Sequence, residues 1–148
     1  MFRLIEITVS NDKETQAIYP YETREMLEGN YEFKLGGAME ANTDELLIGL
    51  DASGNVLFSA KVGNHAFAPR LFEDKVTDSE EVDLKKYDTV ELLNAKFHKI
   101  KGSAILNTAC KQEILRGFDS DGTSVAYWNW ARPINPVEPE PEPVEPTE

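Results

Sequence analysis

The sequence predicts an α+β protein made of two tandem ββαββ repeats packed as a pseudo-twofold pair, followed by a Pro/Glu-rich tail. Three observations carry this reading. Tyr21-Glu22-Thr23-Arg24-Glu25-Met26-Leu27 returns as Tyr87-Asp88-Thr89-Val90-Glu91-Leu92-Leu93, and Leu46 to Gly54 returns as Ile114 to Gly122. Arg3-Leu4-Ile5-Glu6 is echoed by Arg70-Leu71-Phe72-Glu73, so three segments recur in the same order at nearly one spacing, the mark of an internal duplication. Each copy, moreover, is near the lower size limit for burying a core of its own, which predicts that the two mate through apolar surfaces.

In the first copy Phe2 to Val9 is rich in β-branched and aliphatic residues and reads as a strand. Asn11-Asp12-Lys13 reads as a turn, Glu14 to Tyr19 as a second strand, and Pro20-Tyr21 as the lead into a helix that starts near Glu22 or Thr23 and runs to about Ala41. Leu27, Tyr31, Leu35 and Ala38 give that helix one apolar stripe. Glu45 to Leu50 and Val56 to Val62 follow as a hairpin, with Gly54 supplying the positive φ of the turn.

The second copy repeats the order, with strands at Leu71 to Val76 and Glu81 to Tyr87 about a turn at Thr77-Asp78-Ser79. Asp88, with Glu91 three residues on, reads as an N-cap close to a capping box. Val90, Leu93, Phe97, Ile100 and Ala104 then recur at intervals of three and four. Gln112 to Phe118 and Thr123 to Trp130 form the last hairpin around Asp119-Ser120-Asp121-Gly122. Both helices carry small residues at one level, Gly36-Gly37-Ala38 and Gly102-Ser103-Ala104. A glycine inside a helix costs roughly 1 kcal/mol against alanine, so these read as sites of close packing against the sheet or the other helix, as helix ends, or as backbone that contacts a ligand. The resulting division is 1–65, 66–132 and 133–148. Six of the eight prolines fall in that last segment among glutamates, which predicts an extended or disordered tail.

The net charge is −12, and five of the acids lie in the tail, leaving 22 acidic against 15 basic residues, or −7, for the body. An acidic surface disfavours direct nucleic-acid binding. No apolar run approaches the ~20 residues of a membrane span, and the single Cys110 suits a reducing compartment. His65, His98 and Cys110 stand in no catalytic signature, no zinc spacing is present, and no acid and base are paired at a meaningful spacing. The chain therefore reads as non-enzymatic, with no cofactor and no metal. Asp119-x-Asp121-Gly122 resembles part of a calcium loop, but the oxygen ligands that complete one are missing and local turn chemistry explains it.

The copies diverge most at Tyr127-Trp128-Asn129-Trp130, which stands where the first copy has Ser59-Ala60-Lys61-Val62. Alternation along a strand puts Trp128 and Trp130 on one face and Tyr127 and Asn129 on the other. Both tryptophans of the chain lie here, either closing the core or forming a partner surface, and tryptophan is favoured at protein interfaces. These four residues are the candidate binding site.

Leu4-Ile5-Glu6-Ile7, Tyr21, Glu22-Thr23, Gly37-Ala38-Met39 and Leu46 to Gly54 resemble the pattern of small, mostly uncharacterised proteins encoded by bacteriophages of Gram-positive hosts. Those proteins carry one such unit; here the resemblance covers two, up to about Trp130. It implies a phage or prophage origin and a location in the host cytoplasm or the virion. It implies a non-enzymatic role as well, and the missing catalytic signatures, the tail and the Tyr127–Trp130 strand together lead to the expectation of a structural or accessory protein that binds protein partners, with oligomerisation open. The alternative expectation is an anti-defence protein that sequesters a small ligand or mimics DNA.

Overall fold

The computed structural model describes residues 1–133. Its elements run β1 (Phe2–Ser10), β2 (Lys13–Tyr21), α1 (Arg24–Ala41), β3 (Glu45–Leu50), β4 (Val56–Val62), β5 (Arg70–Val76), β6 (Glu80–Lys86), α2 (Val90–Leu106), β7 (Gln112–Phe118) and β8 (Ser124–Ala131). The ββαββ order therefore occurs twice. Each unit forms one antiparallel sheet, ordered β2-β1-β3-β4 and β6-β5-β7-β8. The expectation for the tail lies, from residue 134 onward, outside the described residues.

Apolar side chains sort into three clusters. Leu27 and Tyr31 of α1 pack on Leu4 and Leu47 of the first sheet, and Leu93 and Phe97 of α2 pack on Leu71 and Leu115 of the second. The third cluster joins Ile5, Ile7, Leu46, Ile48 and Leu50 of the first sheet to Phe72, Leu84 and Phe118 of the second, with Phe67 of the connector. The layers are thus helix, sheet, sheet, helix. Leu46-Leu47-Ile48 is apolar without alternation because β3 is covered on both faces.

Contacts across the two sheets come in reciprocal pairs. Arg3 reaches Glu80 at 3.1 Å and Asp74 at 3.3 Å, while Arg70, at the same place in the second unit, reaches Glu14 at 2.8 Å. Gly54, at φ +79°, lies against Ile114, and its counterpart Gly122, at φ +80°, lies against Leu46. In either turn a Cβ would come within 2.7 Å of that side chain, so close approach as well as the positive φ requires glycine. Surfaces that exchange contacts i-to-j and j-to-i are what a twofold pairing produces.

Three expectations need correction. The strand β2 continues through Pro20 and Tyr21, because it is an edge strand, where a proline that lacks an N–H is tolerated. The N-cap of α2 is Thr89, not Asp88: its Oγ1 accepts from Leu92 N at 3.1 Å, as Thr23 Oγ1 accepts from Met26 N in α1. The small-residue levels are neither helix ends nor glycine contacts. Ala38 and Ala104 are buried on the sheet side, whereas Gly36, Gly37 and Gly102 face open space and both helices continue past them.

Candidate functional site

Among the described residues β8 pairs with β7 on one side only, so it is an edge strand carrying both tryptophans. The expected alternation holds. Trp128 sits half-buried on the α2 face, packed against Leu71, Leu93, Phe97 and Leu115. Trp130 stacks on it with centroids 5.5 Å apart and planes 15° from parallel. Two cations bracket the pair, Lys101 at 5.4 Å from the Trp128 ring and Arg132 at 4.9 Å from the Trp130 ring. Arg132 is itself fixed, since it donates to the carbonyls of Cys110, Ile105 and Asn107 and so ties the end of β8 to the end of α2. The result is a rigid aromatic shelf beside an open strand edge.

Tyr127 and Asn129 lie on the opposite face and do not join that shelf. The Tyr127 ring covers the Arg116 guanidinium at 3.8 Å, and its hydroxyl donates to the carbonyl of Ser53 at 2.8 Å. Arg116 Nε donates to Gly54 O at 2.9 Å. Both residues therefore grip the β3–β4 turn of the first unit. Asn129 is exposed.

Each unit also buries a pair of carboxyl groups that sequence reasoning missed. Glu45 and Glu113 lie at the start of the equivalent strands β3 and β7, at 6% and 0% exposure. Each faces the helix side next to a second acid, Glu6 or Glu73, on the neighbouring strand. Burial, reinforced by the neighbouring acid, pushes Glu45 up to about 8 and Glu113 up to about 9. Burial opposes ionisation of Glu6 too, yet hydrogen bonds from Glu45 and Lys34 hold it below the usual carboxylate range. Glu45 and Glu113 are thus held as carboxylic acids near neutral pH, and Oε2 of each has no hydrogen-bond partner among the described residues. The signal in the sequence was a glutamate recurring in both copies within an apolar strand: Glu6 with Glu73, Glu45 with Glu113.

The remaining candidates have local roles. Cys110 is buried, its sulfur is in reach of Glu113, and burial raises the thiol, so the reactive thiolate is disfavoured. His65 bonds Glu14 at 2.8 Å in the connector, and His98 is exposed on α2. Asp119 Oδ1 accepts from the amides of Asp121 and Thr123, and Asp51 Oδ1 from those of Ser53 and Asn55, so both hairpin acids serve their turns. Among the described residues no group of three His, Cys, Asp or Glu side chains is placed to hold a metal ion, and no helix is long and apolar enough to cross a membrane. Comparison with protein-family models, curated proteins and solved structures gives no match.

Proposed function

We propose that the protein is a duplicated unit folded as a pseudo-twofold pair that works by binding another protein, without catalysis, as a structural or accessory component of phage or prophage type. The observation that supports it best is the free edge of β8 beside the Trp128–Trp130 shelf. A strand edge offers unpaired N–H and C=O groups to an added strand, and flanking aromatic rings give such an addition its side-chain selectivity. Lys101 and Arg132 around the shelf favour a partner segment with acidic residues next to its apolar ones. Tyr127 and Asn129 would contribute on the other face of the same strand.

Trp130→Ser tests this, because Trp130 stacks at the end of the shelf while Trp128 packs on the core beneath α2. Capture of a host or virion partner should be lost with the circular dichroism spectrum unchanged. Retained capture by a folded Trp130→Ser variant would contradict the reading. The second reading, a ligand sponge or DNA mimic, ranks behind it: the space between the sheets where a ligand would sit is filled by Ile5, Ile48, Phe72 and Phe118. Thermal-shift screening against cyclic nucleotides and host nucleases addresses it.

A further inference from the structure

The outward faces of the two helices carry large side chains that no other described residue covers. On α1 the residues turned away from the sheet are Met26, Gly29, Phe33, Gly36 and Glu40, spaced by three and four. Phe33 is 83% exposed and Met26 49%, and a Cβ at Gly29 or Gly36 would meet nothing within 4 Å. On α2 the matching face is Leu92, Ala95, Lys99, Gly102 and Leu106, with Leu106 83% exposed, Leu92 53% exposed, and open space over Gly102. Interior helical glycines cost about 1 kcal/mol each against alanine, and large exposed apolar side chains add nothing to the fold. A three-four seam of this kind is how one helix receives another.

We infer that α1 of one molecule docks antiparallel on α2 of a second copy of this chain. The two seams complement each other layer by layer. Setting Phe33 over Gly102 places Gly36 under Lys99, Gly29 under Leu106, and Glu40 beside Ala95, so these four layers each pair one large side chain with one small, while Met26 and Leu92 fall just beyond the end of the facing helix. Small residues facing large ones let helices pack at close range. Charge agrees with size. Lys99 lands over Gly36 between Glu32 and Glu40, each one helical turn away, at the shallow depression that Glu32, Phe33, Gly36, Gly37 and Glu40 line. Pairing α1 with another α1 would instead set acids against acids. The bases of that helix are turned to the sheet: Lys34 binds Glu6, and Arg24 lies over Phe58.

The two seams lie on opposite outer layers of the molecule, so the contact is head-to-tail and does not close as a twofold dimer. It generates a chain or a ring rather than a dimer. This surface is separate from β8, and neither proposal depends on the other.

Sedimentation velocity on the whole protein tests it with two surface variants, Phe33→Glu for the α1 seam and Leu106→Glu for the α2 seam. The wild type should grow past twice its 16.6 kDa as concentration rises. Each variant alone should be capped at the monomer, because each docking needs one intact α1 and one intact α2. Mixed in equal amounts, the variants should form a species of twice the monomer mass and nothing larger. A wild type that stays monomeric at every concentration overturns the inference, as does a mixture that stays monomeric. Dimers of Leu106→Glu alone overturn it in favour of an α1-to-α1 contact, and an unidentified outside partner for the helix faces is left standing by a monomeric wild type.

Discussion

Replacing Glu45 and Glu113 by glutamine should change how stability depends on pH while leaving the fold intact. Near neutral pH both carboxyls hold a proton in the folded protein, because burial raises them to about 8 and about 9, far above the ordinary 4.5 of a glutamate. In the unfolded chain both are ionised. A raised folded pKa contributes stability that is present at low pH and lost as pH rises toward the folded value. One extra bound proton corresponds to about 1.4 kcal/mol per pH unit. With two such groups the wild type should lose about 3 kcal/mol between pH 6 and pH 7. Glu6, held low, titrates below that window, whereas Asp74, raised to about 6 mainly by burial, adds a smaller loss of the same sign that the glutamine variants keep. Glutamine is neutral at every pH and its amide N–H can still donate to Glu6 or Glu73. Urea unfolding at half-unit intervals should show the slope halved in either single variant and nearly flat in the double variant, which should overtake the wild type at alkaline pH. A wild-type stability that does not change between pH 6 and pH 7, or an undiminished slope in the double variant, would refute the protonated-acid assignment.

Two further predictions concern what joins the units and what the helix surfaces cost. Arg70 is 2% exposed and bonds Glu14 and Gln16 across the sheets, so Arg70→Ala should cost about 1.5–3 kcal/mol in urea unfolding by removing one charged partner of Glu14, while His65 and Ala68 N still bond it; a loss below 1 kcal/mol would mean the pair carries little. Glycine substitutions should have opposite signs by site. Gly36→Ala should raise stability by about 1 kcal/mol through helix propensity, while Gly122→Ala, at φ +80° and against Leu46, should lower the melting temperature.

Much of the fold could be read from residue spacing. The stripe Val90, Leu93, Phe97, Ile100 and Ala104 specifies the sheet-facing side of α2, and Gly54 and Gly122 mark the hairpin turns. The repeat gave the order of elements twice. What spacing does not encode is which faces meet. The apolar stripes of the helices are used up within each unit, and the units mate instead through the second faces of β1, β3, β5 and β7. The carboxyl pairs were hidden for a related reason. Glu6 and Glu45 are far apart in the chain, and only the β1–β3 register makes them neighbours. The Tyr127–Trp130 strand was legible as an alternation. Its division into a shelf and a grip on the other unit's turn depends on Ser53 and Lys101, which no local pattern connects to it.

The two units share one core, in which Ile5 and Ile48 of the first sheet meet Phe72 and Phe118 of the second. Producing residues 1–65 and 66–132 as separate chains tests that directly by circular dichroism, before and after mixing. Each half alone should lack cooperative unfolding, and mixing should restore the spectrum and the single transition of the whole protein. Two halves that each unfold cooperatively and show no change on mixing would contradict it.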